Sequence, residues 1–256
     1  MIKKILIVLS VVLFYQCKGT KNIAKDQSNP MEIYLLIGQS NMAGRAAIEL
    51  QDKDSISNVF LFTGNLEKPW EKAANPLNKY STVRKKMSMQ KLGPGFGFSK
   101  EMAKARQGKK IGLVVNAKGG TSIEEWKPND TLYNEAISQT KKALKYGVLK
   151  GIIWHQGEAN SSKYNKYMPK ITILIESLRK DFNLPNLPFV AGQLSPDNPQ
   201  RNKFNQMILE LPNKVKHTAV VSSENTTTID STHFDSVSQR LFGKKYAEAL
   251  LRLMED

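Results

Sequence analysis

The chain alternates short apolar runs with longer segments in which apolar residues recur at helical spacing. Short runs rich in Val, Ile and Leu, bounded by Gly, Asn or Pro, are typical of buried strands. We therefore predict strands at Ile33–Ile37, Val59–Phe62, Ile111–Val115, Gly151–Trp154, Pro188–Gly192 and Thr218–Ser222.

The longer segments predict helices between these strands. The clearest covers Lys163–Asp181, where apolar side chains recur every three or four positions and would line one face. Further helices are predicted at Phe96–Arg106, Leu132–Lys145, Arg201–Leu211 and Val237–Met254. Ser236 precedes the last of them, and Gln239 three residues later completes a capping-box pattern.

Strands that alternate with helices indicate an α/β domain, in which a parallel sheet is covered by helices on both faces. Residues 31–256 contain no internal repeat and no boundary of a second domain. In such sheets, ligands bind outside the carboxyl ends of the strands. Polar, glycine-bearing segments follow the first, third and fourth predicted strands, with the sequences GQSN, NAKGGTS and HQGEAN. Candidate chemistry is therefore expected at these three strand ends.

Residues 1–17 have the pattern of a signal peptide. Lys3 and Lys4 precede an apolar run, which is shorter than the roughly 20 residues that a permanent membrane helix needs. Cys17 ends this segment and favours bacterial lipoprotein processing, with a plain cleaved signal or an uncleaved anchor as the alternatives. Residues 18–30 are polar and predict a tether. We therefore expect an exported protein of the periplasm or cell envelope, which contacts the membrane only through a lipid anchor.

The sequence carries a formal net charge of +15 at pH 7. Between Lys79 and Lys110 there are ten basic residues and a single acid, Glu101. Such a field attracts anions such as acidic glycans, although an ordinary solvated surface explains the same charge. A nucleic-acid partner is not expected, because the sequence has no aromatic-rich binding strip. A metal is not expected, because no set of His, Cys and Asp has ligand spacing.

Ser40 follows the first predicted strand and is the candidate nucleophile. A serine needs a base to take its proton, and that base is most often a histidine oriented by a carboxylate. His233 lies three residues after Asp230, so a turn between them would bring the carboxylate to the ring. The same pair also occurs in ordinary turns and helix caps. His217 has no acid nearby in sequence and is expected to be a structural or surface histidine.

The segments that follow the third and fourth predicted strands supply further candidates. The Gln156 amide could donate a hydrogen bond to an oxyanion, and Glu158 could be a second acid or a substrate contact. A plain polar loop is the alternative for both. Gly119 and Gly120 allow a ligand to approach the backbone closely. An N–H from this pair could stabilise an oxyanion together with the N–H of Ser40, unless the glycines only form a turn.

Taken together, four segments resemble a known family: GQSNMAG, GGTSIEEW, WHQGEAN and DSTHF, in this order. They are similar to the sialate O-acetylesterase-type domain. That family also includes the acetylxylan esterases of carbohydrate esterase family six, and it belongs to the SGNH hydrolase superfamily. The resemblance covers about residues 31 to 253. It implies a three-layer α/β/α sandwich of flavodoxin-like type with a central parallel sheet, and no cofactor.

The resemblance also implies a catalytic triad, in which Ser40 is the nucleophile, His233 the base and Asp230 the acid. Some members use the glutamate of the HQGE segment instead, which is Glu158 here. Asp230 is favoured because its spacing from His233 is local. Ser231 stands where many members have glycine.

The oxyanion hole implied by the resemblance comprises the N–H of Ser40, a glycine N–H from Gly119–Gly120 and the side chain of Gln156. The expected reaction is removal of O-acetyl groups from carbohydrates, either sialic acid or an acetylated polysaccharide. Two alternatives stay open. One is an inactive member that binds glycans at the cell surface, and the other is an esterase of different acyl specificity.

Overall fold

The computed structural model describes residues 30–255 and contains a seven-stranded sheet. Its strands are β1 (Met31–Gly38), β2 (Val59–Phe62), β3 (Trp70–Lys72), β4 (Ile111–Ala117), β5 (Gly147–His155), β6 (Phe189–Gly192) and β7 (Thr218–Val221). Their order across the sheet is β3-β2-β4-β1-β5-β6-β7, and neighbouring strands are parallel except β2 and β3. The predicted leader with Cys17, and all of the tether except Pro30, lie outside the described residues.

Helices connect the strands and pack on the sheet. They are α1 (Ser40–Ala43), α2 (Pro94–Ala105), α3 (Thr131–Ala143), α4 (Tyr167–Phe182), α5 (Pro199–Ile208), α6 (Leu211–Lys214) and α7 (Ser236–Glu255). Short 3-10 helices occur at Leu50–Asp52, Leu77–Tyr80, Met87–Met89, Ile123–Trp126 and Glu158–Lys166. Residues 30–255 contain no helix with the length and hydropathy of a membrane span.

The central strand β1 is buried on both faces of the sheet. Ile33, Leu35 and Ile37 belong to an apolar cluster with residues of α3, α4 and α5, whereas Tyr34 and Leu36 belong to a second cluster with α2 and α7. Successive side chains of a strand point to opposite faces, so a strand between two helical layers is apolar throughout. The predicted α/β fold, with helices on both faces of a mostly parallel sheet, is confirmed.

The predicted elements are present, with differences at their ends. β5 begins at Gly147 rather than Gly151, and α4 begins at Tyr167 rather than Lys163 because a 3-10 helix precedes it. The sequence pattern does not reveal β3. This strand is three residues long, lies antiparallel at the sheet edge and includes two charged side chains, so it shows no apolar run.

The predicted capping box at Ser236 is wrong. Asp235 caps α7, since its Oδ1 accepts the N–H of Ser238 at 2.8 Å and its carbonyl accepts the N–H of Gln239. The Gln239 amide instead lies within 3.4 Å of the carbonyl and side-chain oxygens of Asn41. A long-range contact at the nucleophile turn therefore uses the side chain that the local pattern assigned to the cap.

Strand register brings the predicted site segments together. Gly38 of β1 pairs with Ala117 of β4 and with His155 of β5. The chain segments that follow these three residues therefore emerge side by side at the carboxyl edge of the sheet. Ser40 and Gly119 each lie two residues beyond this pairing, which places both in the crevice that parallel sheets use for ligands.

Candidate active site

A sharp turn after β1 presents Ser40. Gly38 has φ 136°, a conformation that L side chains rarely adopt, and a Cβ there would overlap with the His155 carbonyl group. The N–H of Gln39 donates to the same carbonyl oxygen at 2.9 Å. Ser40 is the first residue of α1, and its hydroxyl is bonded to His233 rather than to the helix backbone. The local structure therefore does not use Ser40 as a helix cap.

Ser40, His233 and Asp230 form a continuous chain of hydrogen bonds. His233 Nδ1 lies 2.7 Å from Asp230 Oδ2, and His233 Nε2 lies 2.9 Å from Ser40 Oγ. An ionised carboxylate only accepts hydrogen bonds, so Nδ1 carries the proton and Nε2 accepts from the serine hydroxyl. The structure thus brings together the three residues that the sequence proposed, although Ser40 lies 193 positions before His233 in the chain.

The turn that carries His233 is ordered by Asp230. Asp230 Oδ1 accepts the backbone N–H groups of Thr232 at 3.1 Å and of His233 at 2.7 Å. Partial burial acts to raise the pKa of Asp230, but these bonds and the His233 ring outweigh it and hold that pKa below its ordinary value. Ser231 has φ 57°, in the left-handed region where glycine is favoured. Because its pKa lies below the ordinary value, Asp230 is ionised at neutral pH.

Asn41, next to the nucleophile, binds both flanking segments. Its Nδ2 donates to Glu158 Oε1 at 2.6 Å and to the Thr232 carbonyl at 3.1 Å. Its Oδ1 accepts the N–H of Phe234 at 3.1 Å. Asn41 therefore fixes the position of the turn around His233 relative to Ser40. Glu158, the alternative acid, is bonded to Asn41, whereas Asp230 is bonded to the histidine.

Gln156 lies in a different hydrogen-bond arrangement from the one expected. Its Nε2 contacts Gln39 Oε1 at 3.1 Å, the Thr121 carbonyl at 3.0 Å and Asn160 Oδ1 at 2.8 Å. Its side chain is buried, and Tyr167 donates to its Oε1 at 2.7 Å. An amide nitrogen has two hydrogens, and both are directed at protein acceptors. The structure therefore does not present Gln156 as a donor to the site, because the fold uses the amide to connect its loops.

The two candidate glycines have different surroundings. A Cβ on Gly119 would lie 3.3 Å from Ser40 Cβ and would overlap with Arg45 Nη2. Gly120 has φ 78°, and a Cβ there would lie 3.3 Å from Lys85 Nζ. Gly119 is therefore the glycine in contact with the nucleophile, whereas Gly120 forms the turn beside it.

His155 lies in the core and not in the catalytic hydrogen-bond chain. The Tyr246 hydroxyl donates to the Trp154 carbonyl at 3.1 Å and so accepts from His155 Nδ1 at 2.8 Å. The imidazole packs edge-on against Phe234 and Phe242. Burial lowers the pKa of His155, against an opposing effect of the Glu158 charge, and the ring is neutral. His155 therefore has a structural role, in packing contact with Phe234 and Phe242.

Arg201, at the start of α5, is a site residue that the sequence analysis missed. Its Nη1 donates to Ser195 Oγ at 2.7 Å and to the Ser231 carbonyl, and its Nη2 donates to Thr232 Oγ1 at 2.8 Å. It thereby holds the turn that precedes His233. No motif surrounds Arg201, so only its charge distinguished it in sequence. Arg45 was also missed, although it directly follows the GQSNMAG segment.

No group of three or more His, Cys, Asp or Glu side chains that could hold a metal ion occurs within residues 30–255. The chemistry of the described site is that of a serine with a base, an acid and nearby backbone N–H groups. This combination suits nucleophilic attack on an ester carbonyl.

The chain is similar to known carbohydrate esterases. A probable carbohydrate esterase of Arabidopsis thaliana is 28% identical over 244 residues, which cover 87% of this chain and 91% of the plant protein. The X-ray structure of that Arabidopsis protein superposes with a TM-score of 0.76 at 27% identity, over 88% of this chain and 99% of the plant chain.

A carbohydrate acetylesterase of Xanthomonas citri shares the fold. Its structure gives a TM-score of 0.66 at 21% identity, over 88% of this chain and 56% of that one. At this identity the likeness concerns the fold alone.

A family model covers nearly the whole described chain. The model is described as carbohydrate esterase, sialic acid-specific acetylesterase, and it matches residues 30–252. This match confirms the resemblance that the four sequence segments indicated. The chain therefore belongs to the family described as carbohydrate esterase, sialic acid-specific acetylesterase, and is a carbohydrate esterase.

Proposed function

We propose that this esterase removes O-acetyl groups from carbohydrates by nucleophilic catalysis at Ser40. The observation that carries the proposal is the hydrogen-bond chain from Asp230 through His233 to Ser40, at 2.7 and 2.9 Å. The family match and the Arabidopsis relative support a carbohydrate as the substrate.

In the first half of the reaction, His233 Nε2 takes the hydroxyl proton of Ser40 as Oγ attacks the acetyl carbonyl carbon. Asp230 holds the imidazole in the required tautomer and stabilises its protonated form. The tetrahedral intermediate then collapses, and the sugar hydroxyl leaves with the proton from His233. A water molecule, activated by the same histidine, releases acetate from the acyl-serine and restores the free hydroxyl.

The negative oxygen of the intermediate needs hydrogen-bond donors. The first N–H groups of a helix have no intrahelical partner, and Ser40 is the first residue of α1. A Cβ on Gly119 would lie 3.3 Å from Ser40 Cβ, so this glycine faces the nucleophile. We therefore assign the oxyanion hole to the N–H groups of Ser40 and Gly119, each worth about 3–4 kcal/mol by comparison with donor deletions in other hydrolases.

The test is acetate release from acetylated sugars, with 4-nitrophenyl acetate as a simple ester. Ser40→Ala and His233→Ala should each lower kcat by at least roughly 10³-fold. His217→Asn is the matched control, since it removes a histidine outside the site and asparagine tolerates the local φ of 53°. Similar rates in wild type and both alanine variants would reject the mechanism. Glycan binding by a wild type without hydrolysis would favour the inactive alternative.

We also propose that the chain is exported and lipidated at Cys17. The support is the leader pattern in the sequence together with the direction of β1. Met31 starts this strand at the amino edge of the sheet, and the nucleophile follows its other end, roughly 25 Å away at about 3.3 Å per residue. A tether joined to Met31 therefore leaves the site facing away from an anchor. Labelling of cells with a palmitate analogue should mark the protein, and Cys17→Ala should abolish the label.

A further inference from the structure

Arg45 is held in a fixed position beside the nucleophile. Its Nη1 donates to the carbonyl of Gly44 at 2.6 Å and to the carbonyl of Met89 at 2.9 Å. The side chain is half-buried, so the guanidinium cannot be freely solvated. Two backbone carbonyls thus orient the planar group and leave Nη2 to face the site.

The charge of Arg45 is not balanced by the protein. Among residues 30–255, no carboxylate forms an ion pair with its guanidinium, whereas Arg106 and Arg240 each pair with acids. Burial acts to lower the pKa of Arg45, and no acidic side chain opposes that effect. A guanidinium nevertheless stays protonated at neutral pH. Because a half-buried charge without an acidic partner is unfavourable, an anion that reaches Arg45 gains a partner already partly desolvated by the fold.

The free face of Arg45 lies at the reacting serine. The point occupied by a Cβ on Gly119 would be in contact with both Ser40 Cβ and Arg45 Nη2. The corresponding point on Gly120 lies 3.3 Å from Lys85 Nζ. Two positive groups, Arg45 and Lys85, therefore lie next to the glycines of the loop after β4. His233 approaches Ser40 from the other segment, the one between β7 and α7.

We infer that Arg45 binds a carboxylate of the substrate and selects O-acetylated sugar acids over neutral acetylated sugars. The planar guanidinium matches the geometry of a carboxylate and forms strong, charge-assisted hydrogen bonds with it. The carboxylate belongs to the acetylated ring or its neighbour, because Arg45 Nη2 and Ser40 contact the same point. Lys85 adds positive charge beside Gly120. This inference rests on the proposed esterase function and adds a specificity residue to it.

The experiment compares substrates that differ only in the charge of the carboxyl group. The probes are O-acetylated oligogalacturonate and O-acetylated N-acetylneuraminic acid, each as the free acid and as its methyl ester, with acetate release as the readout. Wild type should favour the free acid of at least one pair by roughly 10- to 100-fold in kcat/KM, the range of one charge-assisted hydrogen bond. Most of the difference should appear in KM.

Arg45→Met removes the charge and keeps most of the stem, and it should bring this preference close to one. Arg45→Lys should retain part of it, since lysine is a cation without the planar fork. Lys110→Met is the control, because it changes the net charge by the same amount at a position far from the site. Lys110 lies directly before β4 at the amino edge of the sheet. This variant should keep the wild-type preference. Thermal unfolding shows that each variant is folded.

The outcomes separate the inference from the proposed function. If Arg45→Met keeps the wild-type preference for the free acid over the methyl ester, the inference is overturned. This holds whether the activity of the variant falls equally on both substrates or does not fall at all. A wild type that hydrolyses neutral acetates and shows no preference for free acids also overturns it and leaves the esterase mechanism standing. Failure of wild type to release acetate from these probes, from neutral acetylated sugars and from 4-nitrophenyl acetate rejects the proposed function itself.

Discussion

Asn41 Nδ2 donates a hydrogen bond to Glu158 Oε1 at 2.6 Å, and this bond joins the nucleophile turn to the loop after β5. Glu158 Oε2 is buried and has no partner among the described residues. The carboxylate of Glu158 is thus directed at the neighbour of the nucleophile. The carboxylate of Asp230 is directed at the base. The two acids that the sequence left as alternatives therefore have separate positions and separate expected effects.

Asp230→Asn should reduce kcat by roughly 10²- to 10⁴-fold, because an asparagine no longer favours the tautomer in which His233 Nδ1 carries the proton. Glu158→Gln should reduce kcat less than about tenfold, since its amide oxygen still accepts from Asn41. Steady-state kinetics with 4-nitrophenyl acetate measure both effects. A larger loss in Glu158→Gln than in Asp230→Asn would transfer the role of triad acid to Glu158.

Arg201→Met should lower kcat by about tenfold and change KM little, because it frees the turn at Ser231 and Thr232 that positions His233. Lys203→Met, an exposed site on the same helix, is the matched control and should behave as wild type. Kinetics on a neutral ester measure the effect on the catalytic turn without any contribution from substrate charge. An unchanged kcat in Arg201→Met would show that the turn is held without Arg201.

Gly119→Ala should mainly lower activity, whereas Gly120→Ala should mainly lower stability. The methyl group at position 119 would overlap with Arg45 Nη2 and press on Ser40 Cβ, so we expect at least about a tenfold loss of kcat/KM with little change in stability. At position 120, φ is 78°, and alanine should lower the free energy of unfolding by about 1 kcal/mol. Kinetics and denaturant unfolding of both variants measure the two effects. A greater loss of activity in Gly120→Ala would contradict the assignment of Gly119 to the oxyanion hole.

His155 should make the protein less stable in acid. Burial places its folded-state pKa below the ordinary value of 6.5, so the unfolded chain binds the proton more readily. The stability from the neutral ring is present above about pH 6.5. It is lost as the pH falls below that value towards the folded-state pKa, by at most about 1.4 kcal/mol per pH unit. His155→Leu should make the slope of unfolding free energy between pH 6.5 and 5 shallower, and denaturant unfolding measures this slope. An equally steep slope in His155→Leu would assign the acid sensitivity to other groups.

Periodicity and composition were sufficient to predict the α/β class and the strands that form most of the sheet. Buried strands such as β1 need apolar side chains on both faces, and that requirement is visible in one short stretch of sequence. The edge strand β3 and the start of α4 were not predictable in the same way. A three-residue edge strand and a 3-10 helix depend on neighbouring segments more than on their own residues.

The candidate residues likewise differ in how far the sequence alone predicts their roles. Ser40, His233 and Asp230 could be named from sequence because four segments together resemble a known family. An acid three residues before a histidine also occurs in ordinary turns. Gln156 shows the limit of such reasoning. The residue type suits an oxyanion donor, yet its amide is directed at Gln39, Thr121 and Asn160, which lie in separate segments.

The sequence by itself determined the alternation of strands and helices and the chemical groups, and it placed Asp230 three residues from His233, since these depend on neighbours in the chain. Only the tertiary structure decided that His233 reaches Ser40, that Glu158 bonds to Asn41, and that Arg45 lies beside Gly119 without an acidic partner. Each of these relationships joins segments far apart in sequence. The register of parallel strands sets their distance, and no local pattern records that register.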